Sequence, residues 1–259
     1  MRVVILPTEK EASDFAANFI EKFIAEKNNT VLGLATGGSV LSTYDALIRK
    51  YQNGRISFQN VVTFNLDEYV GLAPNHKQSY RHYMNKNLFD HIDINKKNTH
   101  IPECLDGNFE LTCSNYESLI KSHGGINLQL LGVGSNGHIG FNEPTSSLKS
   151  RTRVKTLTNN TIHNNARFFG ESELQPSIAI TMGIGTIMDA KNIILLGLGQ
   201  HKSRAVADLV EGPLSSFCPG SALQNHANAI VVLDQLAASN LKLYDYYIQS
   251  EKMNVEYMS

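Results

Sequence analysis

Short apolar runs rich in β-branched residues alternate with segments of helical periodicity along almost the whole chain, and this alternation limits the folds available to it. Residues 3–6 and 31–35 are typical of buried strands, whereas Phe15 and Phe19 recur at helical spacing between them. Strands that alternate with helices favour a mostly parallel sheet with helices on both of its faces. The sequence therefore predicts an α/β fold built on an open, mostly parallel sheet.

The same two patterns predict the remaining elements. The polar stretch at residues 93–108 is interpreted as an excursion and not as a domain boundary, so one domain is expected across residues 1–259. Further strands are predicted at residues 61–66, 127–133, 151–157, 178–181, 192–198 and 229–233. Further helices are predicted at residues 39–51, 79–91, 109–123, 201–210 and 235–250.

Composition excludes several classes of protein. Of the 259 residues, 42% are hydrophobic and 18% are charged, which suits a folded domain with a sizeable core. The net charge of −1 provides no basic excess for nucleic acid or a membrane surface, and no apolar run approaches the roughly 20 residues of a membrane-spanning helix. The cysteines Cys104, Cys113 and Cys218 lack CxxC spacing, and the first strand is too brief for a signal peptide. We expect a cytoplasmic protein with free thiols.

Loops that follow strands of such a sheet are the expected ligand sites, because ligands bind beyond the carboxyl ends of parallel strands. Thr36, Gly37, Gly38 and Ser39 lie between a strand and a helix, where free N–H groups and hydroxyls can hold an anion. A tight turn with a serine cap explains the same residues equally well. Lys202 lies near another helix N-terminus, against the dipole preference, which suggests an anion between them.

A glycine-rich segment at residues 132–144 follows another predicted strand. It contains a GxGxxG pattern, but Pro144 stops any helix early and no acid ends a strand about 20 residues later, so a dinucleotide site is rejected. His138 and Glu143 lie five residues apart on this segment and can share one proton-transfer task.

Asp67 and Glu68 come directly after a further apolar strand. A carboxylate at this edge is well placed as a general base, although a capping or turn role fits the local sequence as well. The sequence has no HExxH, acidic triplet or Cys/His cluster, so neither a metal nor another cofactor is expected.

Together these segments resemble the glucosamine-6-phosphate deaminase family over nearly the whole chain. The matching segments are residues 34–38, 63–71, 132–144 and 164–169. The resemblance implies an open, modified Rossmann-like sheet without nucleotide. It also implies conversion of glucosamine 6-phosphate and water into fructose 6-phosphate and ammonia, a step of amino-sugar catabolism that needs no cofactor.

The resemblance also implies a role for individual residues. Asp67 would take the C2 proton, and His138 would accept a proton during opening of the pyranose ring, supported by Glu143. The remote phosphate would supply binding energy that holds the sugar against the base. The residues expected to hold that phosphate are Thr36, Gly37, Gly38, Ser39, Arg167 and Lys202.

Position 136 departs from part of the family. Some members carry Asp there as the partner of the histidine, whereas this chain carries Asn136. An asparagine can still accept a hydrogen bond from the imidazole and select its tautomer, but it cannot stabilise imidazolium as a carboxylate does. Glu143 is therefore the expected charged partner of His138.

A second resemblance concerns regulation. Some family members are hexamers activated by N-acetylglucosamine 6-phosphate at a separate site, whose pattern is similar to Ser146, Arg153, Lys155 and Thr156 here. On a strand, Arg153 and Lys155 share one face and could reach one anion, although a charged edge strand has the same pattern. Homo-oligomerisation, as a hexamer, would accompany such regulation. A lid is expected around residues 156–169.

Three alternatives remain open from the sequence. A 6-phosphogluconolactonase would use a histidine to activate water at an ester and would need no C2 base. A galactosamine-6-phosphate deaminase would differ only at C4 of the sugar. A sugar-phosphate-sensing regulator is disfavoured by the lack of a DNA-binding module.

Overall fold

The computed structural model describes residues 1–26, 29–103, 107–157 and 176–258, which contain ten strands and seven α-helices. The strands are β1 (Arg2–Leu6), β2 (Val31–Leu34), β3 (Val62–Asn65), β4 (Asp67–Tyr69), β5 (Thr99–His100), β6 (Leu128–Gly132), β7 (Arg153–Thr156), β8 (Ile178–Thr181), β9 (Ile193–Gly197) and β10 (Ala229–Asp234). The helices are α1 (Glu9–Glu26), α2 (Leu41–Gln52), α3 (Tyr80–Asn87), α4 (Phe109–Ser122), α5 (Ile184–Met188), α6 (Ser203–Val210) and α7 (Tyr244–Met258).

Seven strands form one parallel sheet in the order β1-β10-β9-β6-β2-β3-β5. Every residue of β2, β3 and β10 is buried, as expected when both faces of a sheet are covered. Helix α1 packs against β1, β9 and β10, and α7 packs against β1. The predicted fold class, an open and mostly parallel sheet with helices, is confirmed.

The strand order explains why distant loops meet. Strands β9, β6, β2 and β3 are consecutive neighbours in the sheet. Because they are parallel, the segments that follow them emerge side by side at one edge. These segments are the four in which the sequence predicted ligand-binding residues.

A second sheet of three antiparallel strands, in the order β4-β8-β7, was not predicted. Asp67 pairs with Thr181, which in turn pairs with Arg153 on the outer strand. Asp67 therefore does not simply end β3: it begins a new strand after Leu66, whose carbonyl accepts the N–H of Met182 at 2.7 Å. This sheet carries Asp67 beyond the edge of the main sheet.

One strand was not predicted, and one helix boundary was wrong. The polar stretch at residues 93–108 contains β5, the last strand of the main sheet, which is too short to show a pattern. Helix α7 begins at Tyr244 instead of residue 235, because the Asp234 carboxylate accepts the N–H of Ala237 at 2.7 Å and holds the chain in a turn. The short helix α5 was not predicted.

None of the helices in the described ranges combines the length and the apolar composition that a membrane span requires.

Candidate active site

Asp67 is a buried carboxylate at the carboxyl edge of the sheet, with only 5% of its surface exposed. Burial raises its pKa to about 8, and the neighbouring charge of Glu68 adds to this, whereas the backbone N–H of Phe141 opposes it. Gly140 has φ of +56°, and a Cβ there would stand 3.2 Å from Asp67 Oδ2. The absence of a side chain at Gly140 therefore lets the loop backbone pass close to the carboxylate.

Glu68, the next residue, has a different task. Its carboxylate accepts backbone N–H groups from Tyr69 at 2.8 Å, Tyr80 at 2.9 Å and Arg81 at 2.9 Å. Two of these groups belong to the first turn of α3, so Glu68 satisfies the free end of that helix. Burial still raises its pKa to about 7, against these bonds. The capping role considered for Asp67 belongs to Glu68, which leaves Asp67 available for chemistry.

The glycine-rich loop, residues 133–144, carries a chain of three hydrogen-bonded side chains. His138 Nδ1 lies 2.6 Å from Asn136 Oδ1, and Asn136 Nδ2 donates to Glu143 Oε2 at 2.8 Å. The amide orientation follows from its neighbours, because Asn136 Oδ1 also accepts the backbone N–H of His138 at 3.3 Å. His138 therefore carries its proton on Nδ1, and Nε2 is left as an acceptor.

Glu143 supports the histidine mainly through the amide. Its Oε2 lies 3.5 Å from His138 Nδ1, beyond the distance to Asn136, and the residue is buried with 3% exposure. The sequence prediction of a direct His138–Glu143 partnership thus becomes a relay in which Asn136 stands between the two.

Two glycines make this loop conformation accessible. A Cβ on Gly134 would lie 2.2 Å from the His138 ring, and a Cβ on Gly137 would lie 2.5 Å from Cys218 Sγ. Gly137 also has φ of +83°, which favours glycine. Among the described residues no helix begins in this loop, so the GxGxxG pattern serves a compact turn and not a nucleotide site.

The β2–α2 loop, residues 35–39, lies beside the glycine-rich loop. Gly37 has φ of +106°, and no atom lies within 4 Å of a Cβ built on Gly37 or Gly38. The chain then enters a short 3-10 turn and α2, so its backbone N–H groups begin a helix. Ser39 Cβ is 3.8 Å from the position of a Cβ on Gly132, the last residue of β6. This open backbone can hold an anion.

Lys202 lies in the segment that follows β9, directly before α6. Its side chain is half-buried, and burial lowers its pKa. No ion pair or side-chain hydrogen bond joins it to another described residue. A bound anion would supply the missing partner. Arg167, the other predicted phosphate ligand, lies outside the described residues, as do residues 158–169 of the expected lid.

Three of the four predicted regulatory residues, Arg153, Lys155 and Thr156, lie on the outer strand of the small sheet, β7. Ser146 is buried, and its Oγ has no hydrogen-bond partner in the described part of the chain. Arg153 Nη1 donates to Asn142 Oδ1 in the glycine-rich loop at 2.9 Å. Lys155 shares a face of β7 with Arg153, and Thr156 ends the strand.

Within the described ranges, no three His, Cys, Asp or Glu residues are grouped to hold a metal ion.

Sequence reasoning missed one element of the site. Tyr80 on α3 is hydrogen-bonded to the Thr36 side chain and stacks on Phe141 with ring centroids 5.9 Å apart. Its hydroxyl also lies 3.4 Å from the Tyr69 hydroxyl. Nothing in the local pattern around Tyr80 marks it, because the contacts join residues far apart in the sequence.

Comparison with known proteins assigns the family. The model described as glucosamine-6-phosphate isomerases/6-phosphogluconolactonase matches residues 8–232. A curated protein of Shewanella woodyi, named glucosamine-6-phosphate deaminase, is 54% identical over 98% of this chain and 96% of its own length. One of Colwellia psychrerythraea with the same name is 51% identical over 99% of this chain and 96% of its own length.

Solved structures separate the two branches of that family. A structure described as a monomeric glucosamine-6-phosphate deaminase superimposes with a TM-score of 0.90 at 46% identity, over 93% of this chain and 100% of its own. The 6-phosphogluconolactonase of Trypanosoma cruzi gives a TM-score of 0.73 at 17% identity, over 93% and 97% of the chains, which shows a shared fold. The chain belongs to the glucosamine-6-phosphate isomerase/6-phosphogluconolactonase family.

Proposed function

We propose that this protein is a cytoplasmic, single-domain enzyme that converts glucosamine 6-phosphate and water into fructose 6-phosphate and ammonia in amino-sugar catabolism. The observation that carries the proposal is Asp67, a buried carboxylate with a raised pKa that lies against the glycine-rich loop, the loop that also carries the His138 relay. A lactonase, which hydrolyses an ester, would not need a base that removes a proton from C2. Relatives about 50% identical over the whole chain are named for the deamination, whereas the lactonase structures are far more distant.

The substrate phosphate binds between the β2–α2 loop and Lys202. Helix-terminal N–H groups of the loop and the unpaired ammonium complement a dianion. Arg167 completes this phosphate site in the proposal. The phosphate is remote from C1 and C2, so its binding energy is used to orient the sugar.

Ring opening is assigned to the glycine-rich loop. Nε2 of His138 takes the proton of the anomeric hydroxyl as the bond between C1 and the ring oxygen breaks, and the imidazolium then gives that proton to the freed ring oxygen. Glu143 stabilises the transient imidazolium through the Asn136 amide.

Isomerisation is assigned to Asp67. The carboxylate removes the C2 proton of the open aldehyde while O1 takes a proton from the C2 ammonium, which gives an enolamine. The protonated Asp67 then returns its proton to C1, which leaves an iminium at C2. Water then adds at C2 and ammonia leaves, which produces fructose 6-phosphate. A pKa of about 8 makes Asp67 a stronger base than an ordinary carboxylate.

The decisive assay measures ammonia and fructose 6-phosphate formed from glucosamine 6-phosphate. Galactosamine 6-phosphate and 6-phosphogluconolactone are assayed in parallel, which tests the C4-epimeric deaminase and the lactonase. Release of ammonia from the gluco substrate alone supports the proposal. Lactone hydrolysis without ammonia release would replace it.

Regulation by N-acetylglucosamine 6-phosphate at Ser146, Arg153, Lys155 and Thr156 is the finer part of the proposal. The partnerless Ser146 hydroxyl and the two cations on one face of β7 support it. Sigmoidal kinetics in glucosamine 6-phosphate that become hyperbolic with this activator, together with a hexamer by light scattering, are the expected results. Hyperbolic kinetics unaffected by the activator, as a monomer, would remove regulation and leave the catalytic proposal intact.

A further inference from the structure

Helix α3 touches both halves of the site while contributing no proposed catalytic group. At its N-terminus, the Glu68 carboxylate accepts the N–H groups of Tyr80 and Arg81, each at 2.9 Å. Glu68 is bonded directly to Asp67 along β4. Ser79 closes the same turn, because its Oγ accepts the N–H of His82 at 3.0 Å. The start of α3 is thus held against the proposed base.

The side of α3 that faces the β2–α2 loop carries two tyrosines. Tyr80 is hydrogen-bonded to the Thr36 side chain, and the Tyr83 hydroxyl donates to the Gly37 carbonyl at 2.8 Å. Residues three apart lie on the same face of a helix, so both hydroxyls reach successive residues of one loop. The other side of the Tyr80 ring stacks on Phe141 of the glycine-rich loop.

These contacts connect α3 to two parts of the site that must act on one sugar at the same time. The phosphate and C2 of the sugar are a set distance apart, so the β2–α2 loop and Asp67 must be held at that distance. A displacement of about 1 Å at a reacting group can reduce a rate by about 10²-fold. The two segments follow different strands, and α3 is hydrogen-bonded to both.

We propose that α3 fixes the distance between the β2–α2 loop and Asp67, with Ser79 and Tyr83 as positioning residues. This inference rests on the proposed function. Neither residue needs to touch the substrate: Ser79 is fully buried in the helix cap, and the Tyr83 hydroxyl is used on a backbone carbonyl. Their removal should disturb catalysis more than phosphate binding.

The test compares Tyr83→Phe with the wild-type enzyme, using Tyr246→Phe on the exposed face of α7 as the matched control. Two quantities are measured: kcat for ammonia release, and the inhibition constant of inorganic phosphate, which probes the phosphate site alone. We expect Tyr83→Phe to lower kcat about 10-fold while the phosphate constant changes less than about 2-fold. The control should match the wild type. A higher inhibition constant for inorganic phosphate with unchanged kcat would overturn this proposal, because Tyr83 would then affect only the conformation of the β2–α2 loop.

A second variant, Ser79→Ala, weakens the same helix without touching either loop. If α3 acts as one element, the loss of kcat in the double variant should be smaller than the product of the single losses. A loss of kcat in the double variant equal to the product of the single losses would overturn the proposal that α3 acts as one element. Thermal melts identify any variant that is unfolded, and Tyr83→Phe alone then decides. Absence of ammonia release by the wild type would refute the proposed function itself. The ratios of kcat between the variants and the wild type test only the role of α3.

Discussion

Two parts of the site use carboxylates in opposite ways. At the β3–β4 corner, two adjacent carboxylates are separated by their surroundings: Glu68 receives three backbone N–H groups, while Asp67 is buried with a pKa of about 8. In the glycine-rich loop, the single carboxylate Glu143 reaches the histidine through a neutral amide. Burial raises the pKa of Asp67, whereas Glu143 is joined to the imidazole only through the Asn136 amide.

The difference shows how position determines the role of an acid. Glu68 and Asp67 are neighbours on one strand, so their side chains point to opposite faces. One therefore meets the end of α3, and the other faces the glycine-rich loop. In that loop, the turn at Gly137 folds Asn136 back between His138 and Glu143.

Substitution Asp67→Asn should have the largest effect. We expect kcat to fall by about 10³-fold because the C2 base is lost. The same change should raise stability: folding lifts this pKa from 3.8 to about 8, so ionisation opposes folding. The gain should be absent below pH 4, grow with pH and level off above pH 8, at roughly 5 kcal/mol, because each pKa unit corresponds to about 1.4 kcal/mol.

Ammonia release and thermal melts across pH check both expectations. Asp245→Asn on the exposed start of α7 is the matched control and should change neither. Retained activity in Asp67→Asn would remove the distinction between the two carboxylate regions.

Substitution Gly134→Ala tests the relay by geometry alone. Its Cβ would meet the His138 ring at 2.2 Å, so the imidazole must move away from Asn136. We expect kcat to fall by about 10²-fold with little change in the inhibition constant of inorganic phosphate. Gly132→Ala in the same segment meets only Ser39 Cβ at 3.8 Å and should be much milder. Equal losses in both variants would argue against a steric cause.

Substitution Glu68→Gln should shift a pH profile more than it lowers the maximal rate. Wild-type kcat/KM should rise with pH as Asp67 ionises, with a limb near its pKa of about 8. Removing the neighbouring charge should lower the pKa of Asp67 and move that limb to lower pH by about one unit. A limb that stays in place would show that burial alone determines this pKa.

Substitution Asn136→Asp should have the smallest effect on the maximal rate. A carboxylate beside the imidazole stabilises the protonated form, so His138 must lose its proton at higher pH before it can act as an acceptor. Both Asp67 and His138 must lose a proton on the acidic side of the kcat/KM profile, so below the Asp67 limb the profile should fall more steeply than in the wild type. Asn136→Ala, which breaks the relay without adding charge, should lower kcat without that steeper fall. A fall below the Asp67 limb that is no steeper in Asn136→Asp than in the wild type would contradict the role of position 136.

Much of the architecture followed from the sequence. The alternation of apolar strands and amphipathic helices led to the parallel sheet, since burial on both faces requires continuous apolar runs. Strand ends were enough to predict which loops meet, because parallel strands share one carboxyl edge. Asp67 and His138 were predicted as site residues because they follow strands at that edge and because their segments resemble those of the deaminase family.

What the sequence could not reveal depends on contacts between distant segments. Strand β5 and the small sheet are defined by hydrogen bonds to partners far along the chain, so two or three residues carry no readable period. The division of labour between Asp67 and Glu68 was decided by where α3 docks. The pattern of residues was enough to predict the fold class and to propose the chemical groups of the candidate site. The tertiary structure alone decided the acidity and partners of those groups, because burial and hydrogen bonding are properties of the folded surroundings.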